Sequence, residues 1–316
     1  MRLLRGPRWS GPRSRGEDPG VPIVNNASVR LSGRQHLFLF GPLLLLLVVG
    51  LLGPSVLGFL ATFTSYAPGQ SAIRFTGLAN YIAVLRDHEF MTAVRNIAVF
   101  TSVAVPLELV IGFGLAYILR RPLRGRAILR VLLLIPWLVS PVASGVMWHF
   151  LLGPTHGLLD FTFGLLGVPE VPPPLAQHGL ALVTTMAVEV WRVAPLVAFL
   201  LVPGLAAIPP EKWEHATIEG SSWIGQIRHV ALPAIRPLLL AVALLLVGAA
   251  LSTFDIVLIL TGGGPGTEMT TPGLYSYTLA FQAANWPVGA ASAWLIVAAV
   301  LIAGAIYLRF GSADAS

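Results

Sequence analysis

Four ionisable side chains, Glu108, Glu189, Arg192 and Asp255, stand inside stretches otherwise too apolar for water. Each would be costly against lipid, so each is expected to face a helix bundle or a hydrated cavity. Glu189 and Arg192 are three residues apart, share a helix face and can neutralise each other. Two uses of such a pair stay open: it can hold helices together, or it can line the path of a polar solute. Trp191 lies beside it and Pro195 one turn later permits a kink. An aromatic face stacks on the C–H surface of a sugar ring while carboxylates and guanidinium groups hydrogen-bond its hydroxyls. The set Glu189, Trp191, Arg192 and Asp255, the last with Ser252 and Thr253 close by, therefore suits a carbohydrate, and other polar solutes as well. Trp148 and His149 are weaker candidates, because Trp near a span end is usually an interfacial anchor.

Other chemistries are excluded. The chain has no Cys, which removes disulfides, zinc thiolates and thiol nucleophiles. Its seven His are scattered, and no metal-binding His pair falls inside a span. Gly262-Gly263-Gly264 is not a phosphate cradle, since that needs a Lys after the glycines and the one Lys is Lys212, preceded by Glu211. A sharp turn after a helix is the expected use of those glycines. No catalytic residue, metal site or cofactor loop is predicted, and the chain is not read as an enzyme.

The elements that position these side chains are membrane spans. The chain is 55% hydrophobic and 11% charged, where a soluble domain carries roughly 25% charged residues. Residues 37–63 contain no charge, a run too long for a signal-peptide core and long enough for a retained span. Cutting at charge clusters and Pro/Gly breaks predicts five more spans, about 95–119, 130–152, 180–203, 237–260 and 287–308. Backbone polar groups in lipid must be satisfied internally, and unbroken apolar runs rule out a barrel, so the expected fold is all-α with six transmembrane helices.

Orientation follows from the basic residues. Seven Arg lie in 1–36, five in 120–130, and Lys212, Arg228, Arg236 and Arg309 fall on the same side of a six-span arrangement; Arg74, Arg86 and Arg95 fall on the other. The positive-inside rule puts both termini and the loop 209–233 in the cytoplasm. Topology explains the basic balance, so no nucleic-acid partner is implied, and lipid is the expected contact of the basic face. Residues 1–36 are predicted to be a basic, partly disordered cytoplasmic segment, 37–310 the transmembrane domain and 311–316 a cytoplasmic tail. Nineteen Arg against one Lys suggests a GC-biased bacterial genome.

The loop 209–233 reads as two short polar helices around a glycine. Pro209 and Pro210 fix its start, Glu211 complements the first N-terminus, Gly220 can take the left-handed conformation between helices, and Pro233 is expected to close the second piece. A folded polar loop between two spans is most simply a docking element. Its pattern, Glu214-x-Ala216, three residues, Gly220, nine residues, Val230-x-Leu232-Pro233, resembles the signature loop of permease subunits of binding-protein-dependent ABC importers. His215 replaces the middle Ala of that pattern and Val230 replaces an Ile. Phe75-x-Gly77-Leu78-x-Asn80-Tyr81, the Pro136, Pro141, Gly145 and Trp148 series, and Leu258 to Pro265 are similar to the same family.

The resemblance is nearest to the sugar branch and implies the type I importer fold, with this chain as half of the pore in a bacterial cytoplasmic membrane. It implies a second permease subunit, two ATP-binding subunits that hold ATP and Mg, and an extracytoplasmic solute-binding protein. No cofactor is expected on this chain itself. Trp213, Glu214, Ala216, Gly220, Leu232 and Pro233 become the ATPase-coupling residues, with helix 209–220 as a lever pivoting at Gly220. A permease for a non-sugar polar solute is the alternative. A secondary transporter is less favoured, since no inverted repeat with matched broken helices is visible.

Overall fold

The computed structural model describes residues 33–66, 73–121, 125–153, 157–167, 173–177 and 179–311. Most of the predicted N-terminal segment, Arg124 and nearly all of the predicted tail lie outside these residues. The described residues are almost wholly helical, with an isolated bridge between Thr64 and Phe75. Two units divide after Gly53. In the first, α1 (Gly33–Leu46) runs into a π-helical turn, Leu47–Leu52. Its Leu and Val side chains are exposed, Leu46 at 71%, as suits a surface covered by lipid or another protein chain.

The second unit begins within α2 (Gly53–Ala61). The Asn80 side-chain amide donates to the carbonyls of Thr62 and Thr64 at 2.7 and 2.9 Å, taking up groups that the end of α2 leaves open. Gly77, at φ +59°, makes the turn that leads into α3 (Ala79–Arg86). The Asp87 side chain then caps α4 (His88–Leu119) by accepting from the Glu89 N–H. That cap starts the helix earlier than the span expected at 95, and its 32 residues reach about 48 Å, beyond a hydrocarbon core of about 30 Å.

The region expected as one span over 130–152 is two helices. α5 (Arg126–Leu138) and α6 (Pro141–Leu152) meet at 89°. Pro141 occupies the first position of α6 and Ser140 caps it, accepting from the Ala143 N–H at 3.2 Å. Proline restrains the residue before it to extended backbone, so a helix arriving from α5 must stop there. Five helical stretches are long and apolar enough to span a membrane, and a sixth if the bent pair counts as one, among the described residues.

After α7 (Leu158–Leu165) comes α8 (Leu180–Ala206), the most buried span of the molecule. It packs along α4, and Gly112 allows the two backbones to close. Then follow α9 (Pro210–Ile218), α10 (Trp223–Gln226) and a π-helical stretch Ile227–Ala231 that runs without interruption into α11 (Leu232–Leu251). Pro233 therefore does not close a short helix. It sits in the first turn of α11, and the wider π turn before it accommodates the missing N–H.

The span expected over 237–260 also breaks. α11 ends at Leu251, where Ser252 and Thr253 turn their hydroxyls back to the carbonyls of Gly248 and Ala249. Thr271 then donates to the Thr253 carbonyl, and α12 (Asp255–Leu260) starts as a separate helix. Gly262, Gly263 and Gly266 all have positive φ, which makes the sharp turn expected there. Asn96 of α4 holds that turn by donating to the carbonyls of Thr267 and Thr270, both at 3.0 Å. α13 (Pro272–Tyr277) and α14 (Trp286–Gly311) complete the chain.

Candidate functional site

Two places collect the residues singled out from the sequence: the middle of α8 and the loop 209–233. On α8, Arg192 donates through Nη2 to Glu189 Oε1 at 2.6 Å and through Nε to Oε2 at 3.1 Å, a two-pronged ion pair almost wholly out of solvent. Glu108 of α4 is buried within electrostatic reach of both partners. Two carboxylates and one guanidinium are thus buried on the packed helices α4 and α8.

Trp191 does not join that pair. It points to the other side of α8, half exposed, with its ring edge-on to Trp148 of α6 at 5.4 Å and 78°. Trp191 also lines a wholly apolar groove of about 590 Å³ between α4, α5 and α8, with Leu107, Leu133 and Pro136 among its walls. Asp255 is exposed in the first turn of α12, and no hydrogen bond or ion pair of the described residues links it to Glu189 or Arg192. The charged pair is one feature, the tryptophan pair a second and Asp255 a third. Trp148 is a partner that the sequence ranks low. Its indole N–H is buried without an acceptor among the described residues.

The loop is built by capping. Pro210 occupies the first position of α9 and Glu211 lies in its first turn. At the far end the Ser221 N–H reaches the Ala216 carbonyl at 2.9 Å and the Gly220 N–H reaches Thr217 at 3.0 Å, while Gly220 takes φ +76°. This is the Schellman arrangement, and it needs a residue at ease in the left-handed region. Gln226 of α10 donates back to the Thr217 hydroxyl at 3.2 Å, so the two short helices are tied across the turn.

Trp213 and Ala216 share one face of α9, and that face is turned into the bundle. Ala216 is 7% exposed, and Trp213 packs edge-on against Tyr117 at the end of α4, with the Arg120 guanidinium 3.6 Å from its ring centroid. These two residues fix the loop to the spans. The outward surface carries Glu214, His215 and Ile218, the last 82% exposed. Pro233 lies with Lys212, His215, Glu219 and His229 around a surface groove of about 620 Å³; Leu232 is exposed beside it. Exposed Ile218, Trp223 and Ile224 are apolar residues in a segment read as polar, a signal present in the sequence as single positions rather than as a run.

A polytopic helical bundle with a capped two-helix loop between its most buried span and the next is the arrangement of a transport permease. Residues 108–312 match the family described as binding-protein-dependent transport system inner membrane component, and the chain belongs to that family. It is 34% identical over 237 residues to the trehalose/maltose transport system permease protein of Thermococcus litoralis, covering 75% of this chain and 80% of that one. It is 31% identical over 240 residues to the trehalose transport system permease protein of Mycobacterium tuberculosis, covering 76% of each. Its fold is similar to a chain in the crystal structure of a bacterial ABC transporter involved in the import of the acidic polysaccharide alginate, with TM-score 0.73 and 19% identity over 88% of this chain and 97% of that one. The protein is a multi-pass inner-membrane permease subunit.

Proposed function

We propose that this chain forms one half of a transmembrane pore that admits a sugar or related polyol, driven by ATP hydrolysis in two separate subunits. The observation that carries the proposal is the 34% identity, sustained over 75% of the chain, to a permease named for trehalose and maltose transport. In this reading a second permease subunit completes the pore, and an extracytoplasmic binding protein delivers the solute. ATP and Mg are held by the partner ATPases and not by this chain. Both termini and the loop 209–233 face the cytoplasm, a placement supported by the Arg and Lys distribution.

The geometry supports a division of labour. Glu214, His215 and Ile218 are presented outward for an ATPase surface, while Trp213 and Ala216 grip the bundle. Closure of the two ATPases moves α9 as a rigid piece, and α8 and α11, which flank the loop in the chain, re-tilt with it. The solute passes along the side of α8 where Trp191 meets Trp148, with the Glu189–Arg192 pair on the opposite side of that helix.

The test is uptake by the purified complex with its binding protein in vesicles. Labelled trehalose and maltose are supplied outside and ATP inside. ATP-dependent accumulation of at least one of them is expected. Saturable ATP-dependent uptake of an amino acid or peptide, with neither disaccharide carried, would replace the carbohydrate assignment.

A further inference from the structure

The loop 209–233 has two covalent routes into the bundle, back into α8 and on into α11. A third contact is not covalent. Arg120, the residue that follows α4, places its guanidinium carbon 3.6 Å from the Trp213 ring centroid and 4.3 Å from that of Tyr117. The two rings stand 6.1 Å apart at 62°, so the cation is held between them. Arg121 adds a second guanidinium 5.9 Å from the Tyr117 ring.

The polar atoms of this cluster are unusual. The Arg120 Nε and the Tyr117 hydroxyl are both buried, and neither finds a hydrogen-bond partner among the described residues. Tyr117 is 8% exposed and Trp213 packs at the rim of the main apolar cluster. Arg120 as a whole is half-buried, and a guanidinium drawn into a bundle is ordinarily fixed by a carboxylate fork. Here the aromatic faces answer its charge, an attraction that depends on stacking distance and not on a directional bond. Such a contact holds two elements at a fixed spacing while allowing one ring to slide over the cation.

We propose that Arg120 is a positioning residue for coupling: it clamps α9 to the end of α4, so that displacement of the loop moves α4 together with α8 and α11. The inference rests on the reading of 209–233 as the ATPase-coupling loop. α4 carries the buried Glu108 and packs along α8, which carries the Glu189–Arg192 pair. The clamp therefore joins the loop to the helix facing the charged site, by a route of one residue outside the loop's own chain neighbours.

The test uses the whole importer in vesicles and reads solute imported per ATP hydrolysed, with co-purification of the ATPases as the assembly control. Arg120→Gln is expected to leave the ATPases bound and hydrolysing while the transport ratio falls about fivefold. Arg120→Lys keeps a cation and restores most of the ratio. Trp213→Leu gives the same loss, and the double variant is no worse than the worse single one, because both remove one contact. Import at normal stoichiometry by an assembled Arg120→Gln complex overturns the clamp. So does loss of ATPase binding that Arg120→Lys does not rescue, which makes the contact a packing feature. Gly220→Pro separates the two levels. If it too imports normally, the coupling-loop reading has failed; if it is defective while Arg120→Gln is normal, only the clamp has.

Discussion

Gly112 of α4 lies so close to Val197 of α8 that a Cβ built on the glycine would stand 2.5 Å from the valine Cβ, and 2.9 Å from the Ala194 carbonyl. Small residues are how helices approach in a membrane, where no hydrophobic force draws them together. Gly112→Ala is expected to push α4 from α8 at a cost of about 1–3 kcal/mol. Its readout is a lower thermal midpoint of the detergent-solubilised complex. Val197→Ala removes the Cγ1 contact, also at 2.5 Å, but keeps the valine's Cβ position and the Ala194 carbonyl, so it should restore only a small part of the midpoint.

The Glu189–Arg192 pair separates its two possible uses by experiment. Arg192→Ala alone leaves buried carboxylates unanswered, and a cost of about 3–5 kcal/mol is expected, seen as poor yield of folded protein. Glu189→Leu with Arg192→Leu removes both charges, and its yield should approach that of the unmodified protein. If the pair lines the solute path, the folded double variant imports nothing. Import at the normal rate assigns the pair to helix packing alone.

Gly220 has open space around its Cα, so a side chain there meets only backbone strain. Gly220→Ala is expected to cost about 1–2 kcal/mol through its φ of +76°. Gly220→Asn, which tolerates that region better, should cost less. Amide exchange of Gly220 and Ser221, the donors of the Schellman pair, should speed up in the same order.

Tyr275 donates its hydroxyl to Asp87 at 2.8 Å. Burial first, and then that hydrogen bond and the nearby acids, push its ionisation well above the usual tyrosine range. The sign follows: the folded value is raised, so the contribution to stability is complete below the ordinary tyrosine pKa of about 10 and fades as pH rises through the raised one. A phase above the ordinary tyrosine range is expected in an ultraviolet titration of the folded protein, and Tyr275→Phe should remove it.

The membrane class and the loop were legible in the sequence because each rests on a local signal: long charge-free runs, and capping residues at fixed offsets. The Schellman end of α9 follows from Gly220 alone, and the Glu189–Arg192 pair from a spacing of three. What was hidden depends on partners far along the chain. The break at Ser252–Phe254 is held by Thr271, and no composition window over 237–260 contains that residue. Trp191 stands beside the charges in sequence, but adjacent helix positions point about 100° apart, and it meets Trp148 instead. The place of Trp213 in the loop marks it as a coupling residue, but that it packs against Tyr117 and Arg120 depends on the end of α4, far earlier in the chain.

The central claim is that this chain opens and closes only when a separate motor acts on its loop. The most direct measurement is solute flux into vesicles holding the permease pair, with and without its ATPase subunits and with ATP or a non-hydrolysable analogue inside. Accumulation is predicted only with the ATPases and hydrolysable ATP, and it should vanish when Glu214→Lys prevents their binding. Concentrative uptake by vesicles free of any nucleotide hydrolase would contradict the account.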